Sequence, residues 1–145
     1  MDITDCDLCK PSSHQVLWQD DFCRVVLLND ADYPAYCRVE LLEHIKEMTD
    51  LTSQQRARMM KTVFAVELAL REVTNADKIN LASLGNKTPH VHWHVIPRFE
   101  NDKHFPNSHW GEALRKGEPF DLNTATLESL KQTIKAHIEC NLQSV

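Results

Sequence analysis

The strongest periodic pattern in the chain predicts a long helix that begins after residue 52. Apolar residues recur at intervals of four and three residues and form one stripe on such a helix: Met59, Val63, Val66, Leu70 and Val73. Thr52 followed three residues later by Gln55 is the sequence of a capping box, which satisfies free N–H groups at a helix start. We therefore expect a helix with one face in the core.

A second helical stripe lies near the C-terminus and consists of Leu127, Leu130, Ile134 and Ile138. Glu128 near its start and Lys135 toward its end both suit the helix dipole. The preceding residues 100–121 are rich in Asn, Pro, Gly and His. They predict a long loop with a short helix around residues 111–116.

Runs of apolar and β-branched residues bounded by turn residues predict five short strands. They cover residues 16–18, 22–28, 37–42, 78–83 and a histidine-bearing run that ends near residue 98. The order β-β-β-α-β-β-α is typical of the α+β class. We predict a five-stranded antiparallel sheet with two main helices packed on it. The expected organisation is a single domain of residues 1–145, whose part from about 100–145 is an extended segment and a helix.

Composition and charge narrow the class of protein. Of the 145 residues, 42% are hydrophobic and 26% are charged, which is typical of a globular domain. The 16 Lys and Arg against 21 Asp and Glu give a net charge of −5, which argues against a duplex nucleic acid partner. We find no apolar run of membrane-spanning length and no signal-peptide pattern, and the five cysteines are an odd number. We therefore expect a reduced, cytoplasmic protein with no membrane partner.

Three histidines at alternate positions, His90, His92 and His94, are the most informative motif in the chain. Alternate residues of a β-strand share one face, so the three imidazoles are expected to line one side of the strand. Each imidazole has two ring nitrogens to satisfy, which suits phosphate chemistry or metal binding better than a core. A solvated face of an ordinary strand is the simpler alternative. Convergence of all three on one metal ion is disfavoured by their spacing along a single strand.

The hairpin that carries these histidines resembles the histidine triad (HIT) superfamily of nucleotide hydrolases and transferases. It consists of a strand at residues 78–83, a turn at 84–89 and the histidine run at 90–96. The resemblance extends upstream through the loop that contains Asp30 and covers roughly residues 5–110. It implies that the five-stranded sheet pairs with a second copy, giving a homodimer with a ten-stranded sheet.

The resemblance also implies a role for each histidine. The middle one, His92, is the family's nucleophile toward an activated phosphate, and a neutral imidazole nitrogen suits that task. His94 is expected to contact the phosphate and assist the leaving group. His90 is expected to support the orientation of His92.

Further residues fit the substrate-binding positions of the family. These are Asp30, Asn80, Gly85, Asn86, Lys87 and Thr88. Asp30 matches a ribose-binding acid or is a turn-forming residue, and Asn80 faces the site or ends a strand. Lys87 departs from the Ser that relatives often have. Trp110 is expected to cap a nucleotide, or else to pack in a loop, and Tyr36 stands where many relatives carry His.

Cys6 and Cys9 form a Cys-x-x-Cys pair near the N-terminus. Two thiolates at this spacing chelate zinc, but a closed tetrahedral site needs two more ligands, and His44 and His90 could supply them. Some HIT proteins with this N-terminal pair bind zinc in that way, in a structural site. The alternative is a pair of reduced thiols.

The sequence therefore predicts a nucleotide phosphohydrolase or nucleotidyl transferase that forms a covalent histidine–nucleotide intermediate. The expected substrate is a small nucleotide with an activated α-phosphate, of the dinucleoside polyphosphate or nucleoside phosphoramidate class. A non-catalytic zinc- or nucleotide-binding module is the second hypothesis. Under this hypothesis the histidines serve as metal ligands and have no catalytic role.

Overall fold

A computed structural model of the chain describes residues 3–143 and contains five strands and two long helices within that range. The strands are β1 (Gln15–Gln19), β2 (Cys23–Leu27), β3 (Cys37–Leu41), β4 (Lys78–Ala82) and β5 (His92–Arg98). The helices are α1 (Ser53–Thr74) and α2 (Thr124–Gln143). Short 3-10 turns lie at Ile3–Asp5, Asp7–Cys9 and Met48–Asp50.

The strands form one antiparallel sheet in the order β1-β2-β3-β5-β4. The hairpin β4–β5 therefore inserts its second strand beside β3, which places the histidines at the centre of the sheet. The predicted α+β fold, with a five-stranded antiparallel sheet and two main helices, is confirmed.

Both helices cover the same face of the sheet. Thr52 caps α1 and forms the predicted capping box with Gln55, and Asn75 ends the helix in a left-handed conformation with φ of 53°. The buried side of α1 carries Met59, Val63, Val66 and Leu70, all fully buried, and α2 packs Leu130, Ile134 and Ile138 into the same core. The helical periodicity therefore predicted the core side of each helix correctly.

The opposite face of the sheet is polar at its centre. Side chains alternate along a strand, so the residues between the core positions of β2, β3 and β5 point the other way. These residues are Arg24, Arg38, Glu40, His92 and His94. They are buried or half-buried because the N-terminal segment and the segment after β5 lie over them.

Asp102 holds the segment after β5 in place. Its carboxylate is 3% exposed and accepts two hydrogen bonds from Arg98, at 2.8 and 3.1 Å. It also accepts backbone N–H bonds from Phe99, His104 and Phe105. Burial alone would raise the pKa of Asp102, but the Arg98 hydrogen bond and the backbone donors lower it well below its ordinary value.

The predicted short helix at residues 111–116 is wrong, because this stretch consists of bends and irregular backbone. The chain instead folds back on Lys103, whose carbonyl accepts hydrogen bonds from the N–H groups of Leu114 and Arg115. Gly117 has a φ of +82°, and an added Cβ would lie 2.7 Å from the backbone nitrogen of Lys103. Glycine is therefore required at this close approach.

Within residues 3–143, none of the helices combines the length and the apolar character needed to cross a membrane.

Candidate active site and metal cluster

His92 and His94 are adjacent on the polar face of β5. Their ring centroids lie 5.1 Å apart, and the two residues are 6% and 8% exposed. On the neighbouring strand β3, Glu40 lies opposite His92 and Arg38 lies opposite His94. Two imidazoles at the centre of a sheet are therefore flanked by an anion and a cation.

The backbone sets the orientation of the His92 ring. Its Nδ1 donates to the carbonyl oxygen of His90 at 2.6 Å, so the proton resides on Nδ1 and the lone pair on Nε2. Burial lowers the pKa of His92, partly offset by its hydrogen bond to His90. The neutral ring with a free Nε2 is the form that can attack phosphorus.

His94 is held by Tyr36, whose hydroxyl lies 2.6 Å from its Nδ1. Burial lowers the pKa of His94 to about 4, and the nearby His92, Arg38 and His109 lower it in the same direction. Burial raises the pKa of Tyr36, so its hydroxyl stays protonated and can donate to Nδ1. Donation by Tyr36 leaves the His94 proton on Nε2.

His90 lies two residues before the start of β5 at His92. Val91, Trp93 and Val95 lie against the core, as expected for residues that alternate with the three histidines. The His90 ring is 1% exposed and turns toward the N-terminal segment, where its Nδ1 lies 3.5 Å from the sulfurs of both Cys6 and Cys9. Its Nε2 donates to the carbonyl of Leu41 at 2.6 Å.

Cys6, Cys9, His44 and His90 form a cluster whose four ligand atoms all lie within 4.8 Å of one another. His44 Nδ1 is 3.2 Å from the Cys9 sulfur and 3.2 Å from His90 Nδ1. Tetrahedral zinc, with bonds of about 2.3 Å to sulfur and about 2.0 Å to nitrogen, separates its ligand atoms by about 3.3–3.8 Å. The donor set and its spacing therefore fit a closed metal site, as the sequence predicted.

The hydrogen bond from His90 to Leu41 supports the same conclusion. A histidine that ligates through Nδ1 ordinarily donates its other ring N–H to a carbonyl or carboxylate, which fixes the ring. Here the carbonyl oxygen of Leu41 accepts the hydrogen bond from the Nε2–H of His90. The Nδ1 of His90 therefore presents a lone pair to the two sulfurs and to His44.

Asp30 and Asn80, predicted to bind substrate, are engaged with neighbouring residues. One oxygen of Asp30 accepts backbone N–H bonds from Asp32 and Tyr33, as a turn-forming Asp does, and the other lies 3.1 Å from His109 Nε2. Asn80 is on the histidine face of β4, but its side-chain oxygen accepts a hydrogen bond from Arg98. The structure places neither side chain against His92.

The predicted phosphate-binding turn is divided between two clefts. Gly85, with φ of +75°, and Asn86 border a cleft beside His44, on the side of the metal cluster. Lys87 and Thr88 border a second cleft that reaches the polar residues of β2 and β3. Only the second half of the turn therefore adjoins the charged face of the sheet.

Comparison with known proteins agrees with this architecture. The HIT domain family model matches residues 10–101, more than half of the chain. The chain belongs to the HIT domain family. The predicted membership is therefore confirmed.

Individual HIT proteins match most of the chain. A histidine triad protein from Bradyrhizobium japonicum has a TM-score of 0.69 and 26% identity, covering 86% of this chain and 90% of that one. A histidine triad protein from Sinorhizobium meliloti has a TM-score of 0.63 and 30% identity, covering 88% and 89%. An uncharacterized HIT-like protein from Borreliella burgdorferi is 23% identical, covering 92% and 99%.

Trp110 lies over the HIT histidines in the same chain. Its ring meets His94 edge-on at a centroid distance of 5.0 Å and His109 at 5.2 Å, and it is 50% exposed. His109 in turn packs edge-on against Tyr36. An aromatic ring next to the site is therefore available within one subunit.

The sequence interpretation did not identify the charged residues of β2 and β3 in this HIT protein. Glu40 is fully buried and bonded to Arg24 at 2.7 Å and to Arg38 at 2.5 Å. The signal was present, because Arg38 and Glu40 alternate with the apolar Cys37, Val39 and Leu41 of a central strand. Charged residues that alternate with apolar ones on a central strand indicate a functional face of the sheet rather than a solvent-exposed one.

Proposed function

We propose that this chain is a HIT-type nucleotide hydrolase or nucleotidyl transferase in which His92 is the nucleophile. The observation that carries the proposal is the hydrogen bond from His92 Nδ1 to the His90 carbonyl, which leaves Nε2 unprotonated beside His94. Membership of the HIT family and the contacts of Trp110 and Tyr36 with the neighbouring His94 support it.

The proposed reaction has two displacements at the α-phosphorus. Nε2 of His92 forms a P–N bond while the bond from phosphorus to the leaving group breaks, and the leaving atom takes that electron pair. The Nε2–H of His94 can donate a hydrogen bond to the leaving atom, and a basic leaving atom takes its proton from water. Water, or an acceptor hydroxyl, then attacks phosphorus and breaks the P–N bond, releasing the nucleotide and restoring His92.

Substituting His92 tests this mechanism. We expect His92→Ala to lose several orders of magnitude in turnover on dinucleoside polyphosphates and nucleoside phosphoramidates while it stays folded. A labelled substrate, quenched in base to protect the acid-labile P–N bond, should leave its label on the His92 peptide. His137→Ala on α2 is the matched control, since His137 contacts Glu72 on the helical side. Substantial turnover by His92→Ala would refute the assignment.

The second candidate is a non-catalytic module that binds zinc or nucleotide. The observation that favours it is the cluster of Cys6, Cys9, His44 and His90, in which the His90 ring is one of four potential metal ligands. Nucleotide binding by the wild-type protein without turnover of any substrate in the panel would support this candidate over catalysis.

We propose that zinc binds this cluster as a structural ion. All four ligand positions of a tetrahedral site are supplied by the chain, so bound zinc would tie the N-terminal segment to the sheet without activating water. Elemental analysis of protein purified without a metal-affinity tag should give one zinc per chain. Cys6→Ser with Cys9→Ser should abolish it and lower the melting temperature, and wild-type protein that cannot be loaded by dialysis against zinc would contradict the proposal.

We also propose a homodimer, with the two sheets joined into one of ten strands. Phe64 and Leu68 on α1 are 47% and 36% exposed, and the half-buried Met60 continues their stripe. Such a stripe on an otherwise core-facing helix suits burial against a second copy. Sedimentation at micromolar concentration should give twice the monomer mass, and Phe64→Glu should shift the mass toward the monomer. A monomeric wild-type protein would refute this assembly.

A further inference from the structure

A cleft of about 470 Å³ borders the charged residues of β2 and β3 on the histidine face of the sheet. Its rim is formed by residues 10–14 of the N-terminal segment and by Lys87 and Thr88 of the turn. Its floor includes Arg38 and Glu40, which lie opposite His94 and His92 in the strand register. The cleft is therefore separated from the two histidines by their cross-strand neighbours Arg38 and Glu40.

The charged groups that line the cleft leave it positive. They are Lys10, Arg24, Arg38, Lys87, Asp7 and Glu40. Arg24 and Glu40 form a buried pair at 2.7 Å, and Lys10 lies 3.8 Å from Asp7. Glu40 is shared between Arg24 and Arg38, so four cations face two anions and the cleft has an excess of positive charge, although the whole chain has a net charge of −5. A local excess of positive charge in an acidic protein indicates an anionic ligand.

Arg38 is held in an orientation that suits phosphate. Its Nε donates to Glu40 at 2.5 Å, and the other oxygen of Glu40 is held by Arg24. All three nitrogens of Arg24 are bonded, to Glu40 and to the carbonyls of Leu8 and Lys10. Within residues 3–143, by contrast, the two terminal nitrogens of Arg38 have no hydrogen-bond partner. A fixed guanidinium with free donors is preorganised for a phosphate group.

We propose that this cleft binds the leaving portion of the substrate and selects one that carries phosphate, with Arg38 as the specificity-determining residue. This inference rests on the proposed function, because it assigns a site to the second half of the same substrate. Lys87 at the cleft rim adds positive charge, and Glu40 acts as a positioning residue for Arg38.

The chemistry at phosphorus explains why the charge matters. As the P–N bond to His92 forms, the P–O bond to a phosphate leaving group breaks, and its bridging oxygen takes the electron pair. The added negative charge on the departing phosphate is neutralised by the Arg38 guanidinium and by Lys87. An uncharged amine leaving group needs a proton on its nitrogen instead and gains nothing from these cations. The cleft therefore favours polyphosphate substrates over phosphoramidates of neutral amines.

Two substrates with the same nucleoside separate these contributions: a dinucleoside triphosphate and a nucleoside phosphoramidate of a neutral amine. We expect Arg38→Met to lower kcat/KM for the triphosphate by about tenfold to hundredfold, the effect of one charge-assisted hydrogen bond. The phosphoramidate should change by less than about threefold, because it makes no such bond. Lys135→Met on α2 removes the same charge from the helical side and should change neither substrate. Equal losses on both substrates would overturn the proposal.

A binding measurement keeps the test independent of turnover and folding. Inorganic tripolyphosphate is the probe, titrated by calorimetry into wild-type protein, Arg38→Met and Lys87→Met. Lys87 is exposed on a turn, so its substitution leaves the core intact, and the melting temperature of each variant reports on folding. We expect each substitution to weaken tripolyphosphate binding at least about threefold. Failure of wild-type protein to bind tripolyphosphate would overturn the cleft assignment, whereas absence of all turnover with intact binding would refute only the proposed function.

Discussion

Replacing Asp102 with Asn tests how the segment that carries His109 and Trp110 is held over the histidines. One carboxylate oxygen accepts from Tyr33, Arg98 and two backbone N–H groups, and the other accepts from Arg98 and the Phe99 N–H. In Asn, one of these oxygens becomes an NH₂ group. In either orientation of the amide, the NH₂ group of Asn therefore faces at least two N–H or O–H groups, which are also donors. The negative charge of the carboxylate is lost as well.

The expected cost follows from burial of the pair. Arg98 and Asp102 are 2% and 3% exposed, so Asp102→Asn leaves a guanidinium without its counter-ion inside the protein. Breaking a buried pair of this kind costs about 3–5 kcal/mol of unfolding free energy. For a chain of this size we expect the melting temperature to fall by roughly 10–15 °C.

The pH dependence of the stability difference between wild type and Asp102→Asn is the most specific test of this prediction. The folded-state pKa of Asp102 is depressed below its ordinary value of 3.8, because the donors of Arg98 and the backbone outweigh the effect of burial. The contribution of ionised Asp102 to the free energy of unfolding is therefore complete above the unfolded-state pKa. It is lost as the pH falls through 3.8 toward the folded-state pKa. The stability difference between wild type and Asp102→Asn should be largest at pH 7 and smaller at pH 3.

Chemical denaturation at pH 7, 5 and 3 measures this difference. Asp32→Asn is the matched control, because Asp32 is 43% exposed in its 3.3 Å contact with Lys103 and should cost less than about 1 kcal/mol. A cost below about 1 kcal/mol for Asp102→Asn at pH 7, or a cost that does not change between pH 7 and 3, would refute the reasoning.

Three smaller predictions concern the backbone, the helix cap and His94. Gly117→Ala should destabilise the chain by about 1–3 kcal/mol in thermal melts, because a Cβ at φ +82° would collide with backbone, whereas Gly111→Ala, with contacts of 3.3 Å or longer, should cost less. Thr52→Ala removes the N-cap of α1 and should cost about 1 kcal/mol in denaturant titrations. Tyr36→Phe removes the hydroxyl that holds His94 Nδ1 and should lower kcat by about threefold to tenfold; an unchanged kcat would show that this bond does not orient the ring.

The elements that the sequence predicted well are those set by local periodicity. The stripe from Met59 to Val73 and the Thr52 cap predicted α1, and the mainly apolar run at residues 37–42 predicted a strand. The four cluster residues could also be named in advance, because thiol and imidazole ligands have distinctive chemistry at recognisable spacing.

The parts that could not be predicted depend on contacts between distant segments. Asp30 meets His109 79 residues away, and Tyr33 meets His104 71 residues away, through an irregular segment that has no periodic pattern. The position of Trp110 beside His94 follows from that segment and from the bonds of Asp102. Alternation alone could have marked Arg38 as facing the histidines, but only the fold shows that its terminal nitrogens have no partner among the described residues 3–143.

His90 links the candidate metal cluster to the pair of His92 and His94. The Nε2 of its ring donates to the Leu41 carbonyl, and the Nδ1 faces the other cluster residues. Its own carbonyl oxygen accepts a hydrogen bond from His92 Nδ1. A displacement of the His90 ring would move its backbone, and the tautomer of His92 depends on that backbone oxygen. His90 therefore couples the anchoring of the N-terminal segment to the orientation of the His92 ring. Loss of Cys6 and Cys9 should accordingly reduce activity through His92 geometry, and by less than loss of His92 itself.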